Sequence, residues 1–239
     1  MTTVILLRHG RTTANTGGVL AGRSKGVALD DLGVEQAAAA ARRVAGVPLA
    51  AIVTSPLERC RQTAAAVSKA QASRLRVQAD KELLEVDYGS WTGRPLKELL
   101  KEPLWKTVQA HPAAVVFPEG ESLAAMSSRV VSAVRRWNAR IEAEHGANAV
   151  WLLSSHGDPI KAILADALGM HLDAFQRIVV DPCSISVVHY APLRPFVLAM
   201  NSTEGDLAHL ATPPTAKKKQ GRRSDAAVGG GAGPSRGTT

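Results

Sequence analysis

Two short strings set histidine beside groups that suit anion chemistry: Arg8-His9-Gly10 near the start of the chain and Ser155-His156-Gly157 well downstream. A third, Ser55-Pro56-Leu57-Glu58-Arg59, supplies another arginine. Each guanidinium can present a planar fork of donors to phosphate oxygens. Arginine of this kind together with histidine suits a phosphoryl dianion far better than a neutral ligand. One histidine can be the nucleophile while the other donates to the phosphate. The flanking guanidinium groups disfavour a second positive charge, so the attacking ring stays neutral and keeps a lone pair. Gly10 and Gly157 have no Cβ, which allows close backbone approach to the phosphate. Taken singly these strings are weak, and His156 alone reads equally well as a hydrogen-bonded core residue. Specificity comes from their combination.

To act together, the side chains must leave separate strands at one edge of a sheet, and the rest of the chain is patterned for that. Residues 3–8 are a short β-rich run, followed by a loop through Gly10, Gly17, Gly18 and Gly22. Residues 32–44 read as a helix with Asp30 or Asp31 as N-cap. Residues 51–54 read as a buried strand, and Ser55-Pro56 as an N-cap with proline at the first helical position of a helix running to about residue 70. A further strand is expected over 75–79. Leu123, Met126, Val130, Val134, Trp137 and Ile141 recur every three or four residues, one apolar face of a long helix. Its Trp and Met read as core, not as cofactor contacts. Residues 150–154 form a strongly apolar strand, 159–168 a helix, and 185–189 and 196–200 late strands.

Strands separated by helices predict the α/β class: a mostly parallel central sheet with helices on both faces, in one domain over residues 1–211. In such sheets ligands collect beyond the carboxyl ends of the strands. Arg8 and His9, Arg59, and His156 all emerge there. The stretch 89–118, richer in Gly, Pro and Trp, reads as an insertion over one end of the sheet.

Composition bounds the remainder. The chain has 239 residues, 45% hydrophobic and 21% charged, which excludes wholesale disorder. The net charge of +8 suggests nucleic acid until it is located: residues 212–239 carry six basic residues against Asp225 alone. That Gly- and Pro-rich stretch is expected to be a disordered tail, and no aromatic or folded nucleic-acid motif accompanies it. Nucleic acid is therefore not an expected partner. No apolar run approaches the ~20 residues that cross a bilayer, so no membrane role is expected and the cytoplasm is the expected location. Cys60 and Cys183 have no metal-like or disulfide-like spacing and read as small buried apolar residues. No carboxylate cluster suggests a metal, and no cofactor is expected.

In order along the chain, these strings resemble those of the histidine phosphatase superfamily, in its phosphoglycerate-mutase-like branch. Arg8-His9-Gly10 with Asn15 downstream resembles the first motif, and Ser55-Pro56-Leu57-x-Arg59-x-x-Gln62-Thr63-Ala64 the second. Glu85-x-Asp87-Tyr88-Gly89-x-Trp91-x-Gly93 resembles the segment that carries the family's acid, and Ser155-His156-Gly157 the last motif. The likeness spans about residues 3–200. It implies a two-step, metal-independent phosphoryl transfer in which His9 becomes a phosphohistidine. Glu85 would protonate the leaving alkoxide and then activate water. Arg8, Arg59 and His156 would hold the phosphoryl oxygens, with Asn15 as a further donor and Gly22 near the substrate. A small phosphate ester is the implied partner, and a homodimer through a sheet edge the implied assembly.

Cofactor-dependent mutases of that branch carry an Arg-His-Tyr-Gly string directly after the acid. Here Glu85 is followed by Val86-Asp87-Tyr88-Gly89, which resembles the phosphatases. Phosphatase is therefore the expectation, with phosphomutase as the alternative and a non-catalytic phospho-ligand scaffold as a second one. Phosphoglycerate, sugar phosphates, a ribazole phosphate and phosphoproteins are the candidate substrates. The segment 90–120, with Trp91, Arg94, Lys97, Trp105 and Lys106, is expected to form the lid that chooses among them.

Overall fold

Val4, Ile5, Leu6 and Leu7 are apolar without alternation, and a strand of that kind must be covered on both faces. They form the middle of β1 (Thr2–Arg8), and all four are fully buried. The computed structural model describes residues 1–205, 207 and 210. Among them the other strands are β2 (Leu49–Thr54), β3 (Val77–Ala79), β4 (Val150–Ser155), β5 (Ile185–Tyr190) and β6 (Pro195–Ser202). They make a sheet in the order β3-β2-β4-β1-β5-β6. From β3 to β1 every pairing is parallel, and β5 runs antiparallel to both β1 and β6. This is the expected mostly parallel α/β sheet. The stretch 212–239 lies outside the described residues.

The helices are α1 (Thr13–Thr16), α2 (Asp31–Val44), α3 (Glu58–Ala70), α4 (Leu96–Leu99), α5 (Pro103–Ala110), α6 (Leu123–His145) and α7 (Gly157–Ala167). Side chains alternate across a strand, so β1 feeds two cores. Ile5 and Leu7 pack with Ala37, Ala41 and Val44 of α2 and Val67 of α3. Val4 and Leu6 pack with Met126, Val130 and Val134 of α6 and Ile160 and Ile163 of α7. The chain thus leaves β1 toward one face and leaves the adjacent β4 toward the other. Such a divergence opens a crevice at the carboxyl ends of the two strands.

One boundary differs from expectation for a chemical reason. Ser55 does not cap α3, which begins at Glu58 after Leu57 with no side-chain cap. The Ser55 hydroxyl lies 2.8 Å from His156 Nε2 and accepts from Leu57 N only at a long 3.5 Å. Asp30 caps α2 as expected, accepting from Gly33 N at 2.8 Å.

Segment 89–118 is zipped to the loop after α1 by backbone bonds from Leu20 N to Arg94 O, Gly93 N to Leu20 O and Leu96 N to Gly18 O. It therefore lies over the carboxyl edge of the sheet. The loop after β1 rests directly on the first turn of α2. A Cβ on Gly10 would stand 2.5 Å from Gly33 O, and one on Gly33 would stand 2.0 Å from Arg11 O. Gly33→Ala should therefore displace the loop carrying His9 and destabilise the fold by about 1–3 kcal/mol in urea melts. Gly46→Ala, with open space around it, should leave the midpoint unchanged or raise it. Equal midpoints for the two variants would contradict this packing.

Candidate active site

The extended backbone of β1 continues one residue beyond the strand. His9 N donates to Ser155 O at 3.0 Å, and His9 O accepts from Cys183 N at 3.2 Å. The residue is thereby pinned between β4 and the turn before β5. Its ring is pinned as well, since Nδ1 lies 2.7 Å from Gly10 O. A carbonyl can only accept, so Nδ1 carries the proton and Nε2 holds the lone pair. Arg59 Nε points at that lone pair from 3.3 Å. Burial, then Arg59, then Arg8 hold the His9 imidazole well below its ordinary value of 6.5, and the Gly10 bond opposes this only in part. The ring is neutral at physiological pH, with Nε2 unprotonated.

The two arginines are less free than their sequence suggests. Arg59 gives Nη2 to Gly22 O at 2.7 Å, and Arg8 gives Nη1 to Val180 O at 2.6 Å. Each nevertheless keeps one buried nitrogen without a partner among the described residues, Arg59 Nη1 and Arg8 Nε. Buried charged donors are costly to leave unpaired. Two of them around one imidazole mark a place built for an anion.

Glu85 sits in the loop after β3, half-buried, with Oε1 accepting only from Val86 N at 3.0 Å. Burial foremost, with the Asp158 charge second, raises its carboxyl from 4.5 to about 7, against the opposing pull of Val86 N, Arg59 and Arg8. It holds a transferable proton near neutrality. Tyr88 donates to Asp158 Oδ2 at 2.8 Å, and Lys161 Nζ stands 3.6 Å from Asp158 Oδ1. A cavity of about 240 Å³ is lined by Arg8, His9, Asn15, Gly22, Arg59 and Glu85, among others.

Most of the expected set is therefore brought together, with instructive differences. Asn15 lines the cavity, and its Oδ1 accepts from Thr12 N and Oγ1, which leaves its amide nitrogen as the donor. Gly22 lines it and also fixes Arg59. Gly157 lines it too, and a Cβ there would meet only the Arg8 guanidinium, at 3.9 Å or more. Gly10 does not: its N–H is engaged by Thr63 Oγ1 at 3.1 Å, and its lack of a Cβ serves packing on α2. His156 is fully buried behind His9, ring centroids 5.2 Å apart in an edge contact, with Nε2 on Ser55 instead of in the cavity. Burial and then Arg59 hold its ring well below 6.5, so it adds no charge there.

Segment 90–120 contributes less of the cavity wall than its composition predicts. Of segment 90–120 only Leu96 lines the cavity. Trp91 is buried and stacks on Trp105, and Arg94 pairs with Glu102 at 2.7 Å. The cavity wall comes instead from Val19, Leu20, Ala21, Asp158, Lys161 and Val180. Tyr88 stands within the Glu85–Gly93 motif and Asp158 directly follows Ser155-His156-Gly157, but only folding brings the two together. Both cysteines are free and buried, and burial pushes the Cys60 thiol up to about 12. Among the described residues no helix is long and apolar enough to cross a membrane, and no group of three or more His, Cys, Asp or Glu is placed to hold a metal.

A buried neutral imidazole flanked by guanidinium groups and a raised carboxyl offers a nucleophile, cations for an anion and a transferable proton in one cavity. The sequence pattern of the histidine phosphatase superfamily (branch 1) matches residues 4–203, and the chain belongs to that family. It is 30% identical to phosphoserine phosphatase 1 of Hydrogenobacter thermophilus over 85% of this chain and 93% of that one. It is 32% identical to a protein of Yersinia enterocolitica called "Probable phosphoglycerate mutase GpmB", over 89% of this chain and 97% of that one. Among solved structures, the alpha-ribazole phosphatase of Shigella flexneri aligns with a TM-score of 0.71 and 26% identity over 84% and 96% of the two chains. An Entamoeba histolytica phosphoserine phosphatase solved with phosphoserine shares the fold, with a TM-score of 0.76 and 23% identity over 85% and 98%.

A carboxyl raised on folding stabilises the fold below its unfolded value and loses that contribution as pH rises through its folded value, here from 4.5 to about 7. Glu85→Gln should accordingly melt higher than the wild type at about pH 8, with the gap closing toward pH 5. Thermal melts at the two pH values check this, and a gap independent of pH would contradict the raised carboxyl.

Proposed function

We propose that this protein is a phosphatase that hydrolyses a compact phosphate monoester through a phosphohistidine on His9. In the first step the Nε2 lone pair forms a bond to phosphorus as the ester P–O bond breaks. Glu85 gives its proton to the departing alkoxide. In the second step the Glu85 carboxylate takes a proton from water, and the resulting hydroxide attacks phosphorus. The N–P bond then breaks and inorganic phosphate leaves. The reaction as proposed uses no metal, because two guanidinium groups offset the charge on the transferring group.

The observation that carries this reading is the fixed tautomer: Nδ1–H on Gly10 O leaves Nε2 as the basic nitrogen beside two cations. Arg59 Nε, 3.3 Å from that nitrogen, is placed to pass from the lone pair to a phosphoryl oxygen as the bond forms. Arg8 Nε and Arg59 Nη1 take further oxygens, with Asn15 as an added donor. Gly157 leaves room beside Arg8. His156 is assigned to the same oxygens, and that role requires its Nε2 to leave the Ser55 hydroxyl on which it rests in this structure.

Phosphatase is favoured over mutase by the cavity wall. A bisphosphorylated intermediate needs cations for a second phosphate. The wall offers Val19, Leu20, Ala21, Leu96 and Val180, and its one added cation, Lys161, faces Asp158. The names of the phosphoserine and ribazole phosphatases support small organic monoesters as the substrate class.

Two esters separate the roles. p-Nitrophenyl phosphate has a leaving group that needs no proton, whereas phenyl phosphate releases a more basic phenolate. With labelled ester and an alkaline denaturing quench, wild type should carry label on His9, and His9→Ala should carry none and lose activity by about 10³-fold or more. Glu85→Gln should lose about 10²-fold in kcat/KM on phenyl phosphate and little in kcat/KM on the nitrophenyl ester, while kcat falls on both because the second step is shared. The decline of wild-type kcat/KM for phenyl phosphate as pH rises through about 7 should vanish with it. Turnover without a His9 adduct would overturn the proposal. Transfer of phosphate to the 2-position of 3-phosphoglycerate in place of phosphate release would make the protein a mutase.

A further inference from the structure

Among the described residues the Glu85 side chain has a single hydrogen bond, from its neighbour's backbone. Its aim therefore depends on how firmly its main chain is held. Two guanidinium groups from distant parts of the chain converge on the Glu85 carbonyl: Arg23 Nε at 2.9 Å, from the loop after α1, and Arg129 Nη2 at 3.0 Å, from α6. Arg129 also reaches Glu82 O at 2.7 Å, so it straddles the turn that presents the acid.

Both arginines are joined through one carboxylate. Glu121 Oε1 accepts from Arg23 Nη2 at 2.8 Å, Arg129 Nη2 at 2.7 Å and Asp87 N at 2.9 Å, while Oε2 accepts from Arg129 Nε at 3.0 Å. Glu121 and Arg129 are only 17% and 15% exposed, so these charge-assisted bonds are poorly screened. Backbone bonds from Glu121 N to Asp87 O and from Ser90 N to Pro118 O tie the same two loops together. The contact is close enough that a Cβ on Gly120 would stand 2.2 Å from Asp87 O. This loop touches neither His9 nor the cavity, and no reading of the site's own motifs assigns it a task.

We infer that Glu121, Arg129 and Arg23 form a clamp that positions the Glu85 carboxyl for proton transfer to the leaving group. They are positioning residues, since none of the three lines the cavity. Glu121 acts as the hub: without its charge the two guanidinium groups repel, and their hold on the Glu85 carbonyl loosens. Misplacement of a catalytic group by about 1 Å is enough to cost up to 10²-fold in rate. The inference rests on the proposed acid role of Glu85, and its test is built so that the two fail differently.

The experiment compares kcat/KM for phenyl phosphate and p-nitrophenyl phosphate in Glu121→Gln and Arg23→Lys, with Glu85→Gln as the reference pattern. Arg135→Ala, on the same helix as Arg129, removes an exposed ion pair to Asp166 of α7; it controls for loss of a surface arginine and should leave both esters unchanged. Melting curves confirm folding, and Glu121→Gln, being isosteric, is the variant expected to fold best. A clamp gives the Glu85→Gln pattern in weaker form: about tenfold loss on phenyl phosphate and less than about threefold on the nitrophenyl ester. Equal loss on both esters, or no loss on either, would overturn the clamp while leaving the acid role intact. No difference between the esters in Glu85→Gln itself would remove the acid role, and the clamp with it.

Discussion

The histidine at the end of β1 meets a carbonyl on one side and a guanidinium on the other, and the rest of the site follows from that arrangement. The Gly10 carbonyl accepts the Nδ1 proton, so the ring has one available basic nitrogen. The Arg59 and Arg8 charges and the surrounding burial disfavour its protonation. Such a ring is a poor place for a proton and a good place for an electrophilic phosphorus with anionic oxygens. The same cations that depress its basicity are those that bind the oxygens. Acid function is assigned to Glu85 by the opposite means, since burial and Asp158 raise its carboxyl. Two titratable groups in one cavity are thus driven apart by their surroundings, which is how one site holds a base and an acid together.

This arrangement requires rigid backbone, and the sheet provides it. His9 is held by Ser155 O on one side and Cys183 N on the other, which extends the central pairing of β1 one residue beyond the strand. Arg59 enters from α3 and Glu85 from the loop after β3, while His156 directly follows β4. The site opposes stability where it serves chemistry: two arginine nitrogens are buried without partners, and a carboxylate is desolvated.

Much of this was legible in the residues. The unbroken apolar run 4–7 required a doubly covered strand, and the arginines and histidines leaving the strand ends required convergence, as found. What was not legible has specific causes. Gly10 looked like a phosphate contact, but Thr63 of α3, distant in sequence, takes its N–H, and Gly33 takes the space its Cβ would fill. Ser55 looked like a cap because capping is local, whereas its partner His156 is brought in by the sheet. Segment 90–120 reads as a substrate-choosing lid because burial cannot be read from composition, whereas Trp91 and Trp105 stack on each other against the core. The Glu121 hub gave no signal at all, since its three donors come from three separate segments.

The state of one ring decides between this picture and its rivals. Nitrogen NMR of protein labelled at histidine, with His9→Ala to assign the signal, reads both the tautomer and the titration of His9. The expected result is a neutral ring protonated at Nδ1 whose titration lies well below the ordinary 6.5. A ring protonated at Nε2, or one that titrates at or above 6.5, would contradict it, because the nitrogen facing Arg59 would then have no lone pair with which to attack.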